Sequence, residues 1–151
     1  MKSTLLSLVI FFSLSVTAVG QPLDSFRWKS RLVLLFTPAS DNPMFEQQVR
    51  LLNEQTDALE ERDIIVLFIT PERQPENTAQ FLPEADALKL YERFDTGKHQ
   101  FVSLLVGLDG GEKFRAQNRV IPPSVLIQLI DGMPMRRREL LREKENKSKG
   151  G

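Results

Sequence analysis

The sequence LVLLFTPASDNPMF, residues 32–45, decides the fold class of this chain of 151 residues. Its apolar first half extends back to Arg31, and such a near-continuous apolar run is typical of a strand covered by helices on both faces. Asp41-Asn42-Pro43 then combines a capping side chain with a proline, which predicts the start of a helix. Many α/β proteins keep their chemistry at such a strand-to-helix loop, so this loop is the first candidate site.

Apolar side chains continue at helical spacing after the loop. The helix is predicted to bury one face, which carries five residues at i, i+4, i+7, i+11 and i+14: Phe45, Val49, Leu52, Thr56 and Leu59. A charged break follows, and residues 64–70 form a second apolar run of strand length. This order indicates a βαβ unit, so we expect two parallel strands with a right-handed crossover.

The rest of the chain predicts a helix, a β-hairpin and a last helix. Residues 71–82 are interpreted as a loop, and Pro83 opens a helix with Leu88, Tyr91 and Phe94 roughly along one side. Residues 101–106 and 112–116 flank Asp109-Gly110, a tight-turn sequence, and must be antiparallel strands. The last helix starts at residues 122–124, is interrupted at Gly132 or Pro134, and is expected to bury Val125, Leu126, Leu129 and Ile130.

The N-terminus has the pattern of a secretory signal peptide. Lys2 is followed by an almost wholly apolar stretch, residues 5–16, and then by the small residues Ala18-Val19-Gly20. An uncleaved membrane anchor is the alternative, but the apolar run is short of the roughly 20 residues that a span requires. We therefore expect cleavage near Gln21 and export to the bacterial periplasm or the cell exterior.

The chain contains no cysteine. Thiolate chemistry, thiol-bound zinc, disulfides and a lipid anchor on a cysteine are therefore all excluded. Charge is unevenly distributed: residues 21–135 carry 12 Lys and Arg against 17 Asp and Glu, whereas residues 136–151 carry 7 against 3. The body is acidic and the tail is basic.

The order of elements is that of the thioredoxin core, a four-stranded mixed sheet with helices on both faces. Three segments make the resemblance narrower: Arg27-Trp28-Lys29, Asp109-Gly110-Gly111, and residues 130–137, which contain Met133-Pro134-Met135-Arg136-Arg137. With these segments the chain resembles the domain-of-unknown-function family 4174. That family comprises small exported bacterial proteins and domains of animal sushi-repeat-containing and coiled-coil-domain-containing extracellular proteins.

The resemblance implies a thioredoxin-like, peroxiredoxin-related fold, a three-layer α/β sandwich in which redox residues are often missing. The loop of residues 38–43 falls where thioredoxins and peroxiredoxins place their catalytic cysteine. Thioredoxins also place a cis-proline before the third core strand, where this chain has Lys98-His99-Gln100-Phe101. We therefore divide the chain into a signal peptide (residues 1–20), a thioredoxin-like domain (21–135) and a charged, partly disordered tail (136–151).

Ser40, Asp41 and His99 are the candidates for catalysis, as nucleophile, orienting group and base, because the fold should bring their two loops together. No hydrolase motif accompanies them, so we favour capping for residues 40–42. The same helix start, with Thr37, Ser40, Asp41 and Asn42, is a candidate for binding an anion or a partner's carboxylate. A carboxylate cap at Asp41 would oppose such binding.

Metal and cofactor sites have weak support in the sequence. His99 is the only histidine, so a metal site there would need Asp41 or Asp95 as well. Asp109 and Glu112 flank glycines, but they lack the alternating oxygen ligands of a calcium loop. We expect no metal and no cofactor.

The basic tail begins with Arg136, Arg137 and Arg138, which could contact an anionic membrane or an acidic partner. Interleaved glutamates favour a solvated helix instead. For an exported protein with an acidic body we expect no nucleic acid. We predict a non-catalytic binding or interaction module with an unidentified protein partner, and the alternative is a cysteine-independent enzyme, such as a hydrolase, using the first loop.

Overall fold

A computed structural model of the chain describes residues 21–72 and 81–150. The predicted signal peptide and most of the predicted loop of residues 71–82 lie outside the described residues. After a short 3-10 turn, Asp24–Phe26, the elements are β1 Arg31–Phe36, α1 Pro43–Asn53, α2 Thr56–Glu60, β2 Ile64–Ile69, α3 Glu84–Arg93, β3 Val102–Val106, β4 Glu112–Gln117, α4 Pro123–Asp131 and α5 Pro134–Lys149.

The four strands form one mixed sheet in the order β2-β1-β3-β4. Strand β1 pairs with β2 in parallel and with β3 antiparallel, and β3 and β4 form the predicted antiparallel hairpin. The predicted βαβ unit and hairpin are therefore confirmed. The start of β3 lies beside the end of β1, because Val102 pairs with Phe36.

Strand β1 is the central element, and all six of its residues are buried. Alternate side chains enter two separate cores. Val33 and Leu35 pack with side chains of α1, α2 and α4, whereas Leu32, Leu34 and Phe36 pack with side chains of α3. Helices thus cover both faces of the sheet, as the apolar run predicts, and the domain has three layers.

The predicted long first helix is instead two helices, α1 and α2. The chain turns between them, and the Thr56 hydroxyl donates to the Asn53 carbonyl at 2.8 Å. Thr56 is consequently exposed, so its predicted place on the buried face is wrong. Gln48 is fully buried, because its amide group makes two hydrogen bonds with the backbone of Ile121, at 2.7 and 2.9 Å.

Two other residues predicted to be buried, Val125 and Leu129, are also exposed. Leu88 is exposed as well, whereas Tyr91 and Phe94, predicted on the same side of the helix, are buried. In α3 the buried positions are Ala87, Leu90 and Tyr91, and in α4 they include Leu126 and Ile130. Each of these helices packs one narrow face on the sheet, so apolar residues beside that face remain in contact with solvent. None of the helices within residues 21–72 and 81–150 has the length and apolarity needed to cross a membrane.

Helix α5 begins where the sequence predicts an interruption. Helix α4 ends at Asp131, Met133 has an extended backbone, and Pro134 is the first residue of α5. The helix then continues through Lys149. Its first turn packs against the domain, and Arg136 there is only 1% exposed.

Candidate functional site

The loop after β1, residues 37–42, is held by its own hydrogen bonds. The Thr37 hydroxyl is buried and donates to the Ala39 carbonyl at 2.6 Å. Asn42 Oδ1 accepts from the backbone N–H groups of Met44 and Phe45, at 3.1 and 3.2 Å. The cap of α1 is therefore Asn42 and not Asp41, because Asn42 directly precedes Pro43 and its side chain can turn back to these two donors.

The proposed catalytic side chains are all at the surface. Ser40, Asp41 and His99 are exposed, and in the described part of the chain no hydrogen bond or ion pair joins any two of them. Strand pairing does bring their two loops to the same end of the sheet, since Phe36 is opposite Val102. The two loops therefore lie at the same end of the sheet, as expected. His99 does not, however, form the hydrogen bond to Ser40 that would make it a base for a serine nucleophile.

Tyr91 lies beneath this loop. Its hydroxyl is within 3.4 Å of the Thr37 carbonyl oxygen and within 3.5 Å of the Ile69 carbonyl oxygen, both of which can accept its hydrogen. Burial raises the pKa of Tyr91, so the phenol stays protonated and can donate. Tyr91 therefore supports the loop backbone and is not available as a base.

The carboxylates suggested for calcium bind protein cations instead. Asp109 accepts from Lys113 Nζ at 2.7 Å and from the Gly111 N–H at 3.0 Å, and these bonds lower its pKa. The pKa of Glu112 is lowered mainly by its hydrogen bonds from Arg115. Within residues 21–72 and 81–150, no three His, Asp or Glu side chains are grouped so as to hold a metal ion.

A second candidate site lies at the opposite end of the sheet, where β1 begins. It is a groove of about 360 Å³ that we call the Trp28 groove. Nine residues line it: Trp28, Arg31, Gly107, Leu108, Asp109, Lys113, Met133, Pro134 and Met135. All three segments that carry the family resemblance contribute to this lining, although they are far apart in the chain.

Trp28 is unusual both in exposure and in backbone conformation. Its side chain is 63% exposed, and its φ of 62° lies in the left-handed region, which bulky residues rarely adopt. The backbone is held there by a hydrogen bond from the Trp28 N–H to the Leu108 carbonyl at 2.7 Å. Strained residues of this kind are concentrated at binding and catalytic sites, so Trp28 marks the groove as a functional candidate.

The hairpin wall of the groove is fixed by cations that bind its backbone. Arg27 Nε donates to the Asp109 carbonyl at 3.0 Å, and Arg93 Nη2 donates to the Gly110 carbonyl at 2.9 Å. Gly110 itself has a φ of 79°, which a glycine adopts without strain. The hairpin therefore has a defined position relative to Trp28.

The opposite wall, residues 133–135, is positioned by a group of charged side chains around the buried guanidiniums of Arg31 and Arg136, and we call this group the arginine cluster. It consists of Arg31, Arg62 and Arg136 with Glu61, Asp131 and Glu139. Arg31 donates to the Arg62 carbonyl at 2.9 Å and to Glu139 at 2.8 Å. Arg136 donates to Glu61 at 3.0 Å and to Glu139 at 3.3 Å.

Arg62 completes the arginine cluster through a bidentate pair with Asp131. Its Nε and Nη2 atoms donate to the two carboxylate oxygens at 2.8 and 2.9 Å. The Arg62 hydrogen bond lowers the pKa of Asp131. Burial alone would raise the pKa of Glu139, but Arg31 and Arg136 outweigh that effect and the pKa is lowered.

The arginine cluster corrects one expectation from the sequence. Arg136 is not a solvated tail residue, because its guanidinium is buried between Glu61 and Glu139. Arg137 and Arg138 are exposed, as expected of a basic helix. Charge patterning missed this difference, since three consecutive arginines on a helix point in different directions and only the fold decides which one is buried.

Comparison with known proteins gives a family and a fold. A family model described as "Domain of unknown function (DUF4174)" matches residues 22–139. The sushi repeat-containing protein SRPX of Rattus norvegicus is 28% identical over 136 residues, and that of Homo sapiens is 29% identical over 136 residues. Each alignment covers 88% of this chain but only 29% of the relative, so the chain spans less than a third of the length of these curated relatives.

Solved structures of peroxiredoxins resemble the chain in fold. Reduced Plasmodium vivax 2-Cys peroxiredoxin has a TM-score of 0.59 at 14% identity, and the match covers 77% of this chain and 84% of that one. Mycobacterium tuberculosis AhpC has a TM-score of 0.55 at 15% identity, covering 78% and 81%. The predicted thioredoxin-like fold, a four-stranded mixed sheet with helices on both faces, is thereby confirmed.

Proposed function

The chain belongs to the DUF4174 family of domains of unknown function, and from this premise we propose that it is a non-catalytic binding module that uses the Trp28 groove. The observation that carries the proposal is the meeting of three distant segments in that groove: residues 27–29, 109–111 and 133–135. The groove exposes a tryptophan held in a strained backbone conformation. Aromatic side chains of this kind dominate the energy of many protein interfaces.

The loop after β1, at the other end of the sheet, supports the proposal because it lacks the thiol that redox catalysis in this fold requires. Peroxiredoxins and thioredoxins need a thiolate at the start of the first core helix, where the helix dipole stabilises its charge. This chain has no cysteine at any position. The N–H groups of Met44 and Phe45 at the start of α1 could otherwise bind an anion, but both donate to Asn42 Oδ1.

We further propose that the protein acts outside the cytoplasm, in the bacterial periplasm or the extracellular space. The support is the sequence of residues 1–20, with its basic start, apolar centre and small residues before Gln21. A protein that folds without disulfides in an oxidising compartment depends on packing alone, and the two cores on either side of the sheet provide that packing.

Capture of a partner with matched variants tests the proposal. Purified protein is incubated with exported proteins of the source cells, and the affinity of each captured protein is measured by calorimetry. We expect a saturable partner whose affinity falls about tenfold or more for Trp28→Ala. Ser40→Ala and His99→Ala should leave that affinity unchanged.

Two results would overturn the proposal. One is a partner that binds Trp28→Ala as tightly as the unaltered protein. The other is a substrate screen that finds turnover abolished by both Ser40→Ala and His99→Ala in folded protein, which would establish the hydrolase alternative.

A further inference from the structure

We infer that the Trp28 groove binds one bulky apolar side chain of an extended protein segment, and that carboxylates flank this side chain in the partner. The inference rests on the proposed function and deepens it, because it specifies the chemistry of the partner. It is carried by the shape of the groove, by its apolar walls and by the charges beside it.

The shape and the lining favour an apolar side chain. A volume of about 360 Å³ is at the lower end of the range for small-ligand sites, which suits a single large side chain with its adjoining backbone. The walls are formed by Trp28 and Leu108 on one side and by residues 133–135 on the other. Methionine side chains adapt to an irregular guest and make favourable contacts with aromatic rings, so Phe, Leu and Met are the side chains that fit best.

Uncompensated positive charges lie beside both walls. Lys29 follows Trp28, and Arg137 and Arg138 follow Pro134 by three and four residues, which places them on the same side of α5. All three are exposed, and across residues 21–72 and 81–150 none of them takes part in an ion pair. The nearest carboxylate in the lining, Asp109, is already neutralised by Lys113 at 2.7 Å.

This local charge contrasts with the rest of the domain. Residues 21–135 carry more carboxylates than cations, 17 against 12, so a positive rim is not a general property of the surface. Opposite charges across an interface speed association and discriminate against wrong partners. A partner segment with Asp or Glu on either side of its apolar anchor therefore complements the groove.

A protein segment fits these observations better than a membrane surface. The groove is concave, whereas peripheral membrane proteins present a protruding apolar surface that can enter the bilayer interface. An anionic membrane and a second copy of this chain are the alternative occupants of the groove, and fluorescence of Trp28 distinguishes both from a protein segment.

Trp28 makes the experiment direct, because it is the only tryptophan in the chain and its fluorescence reports on the groove alone. The probes are three capped peptides: Gly-Asp-Glu-Phe-Glu-Asp-Gly, the same peptide with Ala for Phe, and the same peptide with Lys for every acidic residue. We expect the first to move Trp28 emission to shorter wavelengths in a saturable manner. The other two should bind about tenfold more weakly or worse.

Charge-swap variants test the role of the rim. Lys29→Glu and Arg138→Glu should each weaken binding of the acidic peptide and strengthen binding of the lysine peptide. Arg142→Glu, one turn farther along α5 from the groove, is the matched control and should change neither affinity. Because the rim charges are exposed, raising the salt concentration should weaken binding of the acidic peptide to the unaltered protein more than binding to Lys29→Glu or Arg138→Glu.

Each other outcome overturns the inference. Equal binding of the acidic and lysine peptides refutes the carboxylate flanks, while binding by Trp28 remains and the proposed function stands. If vesicles of phosphatidylcholine and phosphatidylglycerol shift the Trp28 emission and none of the three peptides does, the groove binds lipid. A shift that depends only on protein concentration, with dimers in sedimentation, assigns it to a second copy. The proposed function itself fails separately, if a captured partner binds Trp28→Ala with unchanged affinity.

Discussion

Arg31 and Glu139 join the two ends of the domain: Nη2 of Arg31, the first residue of β1, donates to Oε1 of Glu139 on α5 at 2.8 Å. These residues are 108 positions apart in the chain. The same carboxylate also accepts from Arg136, so one glutamate pairs with two buried guanidiniums. Since Arg31 also lines the Trp28 groove, the bond links the start of α5 to the proposed binding surface.

Replacing Arg136 should destabilise the domain far more than replacing its neighbour. In Arg136→Ala the buried guanidinium and its hydrogen bonds to Glu61 and Glu139 are lost and a cavity remains, so the free energy of unfolding should fall by about 2 kcal/mol. Arg137 is exposed, so Arg137→Ala should change the free energy of unfolding by less than about 0.5 kcal/mol. Urea unfolding measures both values, and equal effects would contradict the burial of Arg136.

Acid should weaken the fold through the carboxylates of the arginine cluster. The pKa values of Asp131 and Glu139 lie below their ordinary values of 3.8 and 4.5, so the unfolded chain binds more protons in the acidic range. Their contribution to stability is complete above about pH 5 and is lost as pH falls through the lowered native pKa values. Asp131→Asn should therefore reduce the slope of unfolding free energy against pH below about pH 4. An unchanged slope would show that the Arg62 pair contributes nothing.

The cap of α1 should be energetically distinct from the residue before it. Asn42→Ala removes the acceptor for Met44 and Phe45 and should destabilise the protein by about 1 kcal/mol. Asp41→Ala removes an exposed side chain and should have an effect below about 0.5 kcal/mol. Thermal and urea unfolding of the two variants decides the matter, and the reverse order would restore Asp41 as the cap.

Strain at Trp28 is measurable with two variants that both lose the indole. Trp28→Gly can adopt the φ of 62° freely, whereas Trp28→Ala keeps the penalty of the left-handed region. We expect the glycine variant to be more stable than the alanine variant by about 1 kcal/mol, although both lose partner binding. Equal stabilities would mean that the backbone at this position is not strained.

Sequence patterns predicted the local elements well. The apolar run of β1, the proline at the start of α1 and the Asp109-Gly110 turn each predict a structure that forms between near neighbours, and all three are present. Patterns failed where distant parts meet. Helical spacing assigned Thr56 and Leu129 to the core, whereas the fold leaves both exposed and buries Gln48, whose partner Ile121 is 73 residues away.

By itself, the sequence determined the mixed sheet of this fold and the loss of its thiol chemistry, because apolar periodicity and residue identity are local properties. Tertiary structure alone decided that Arg136 is buried beside Glu61 and that Trp28 faces Met135 across one groove. Neither pair is near in sequence, and each depends on how the strands align and where α5 docks. The proposed function rests on that second kind of information.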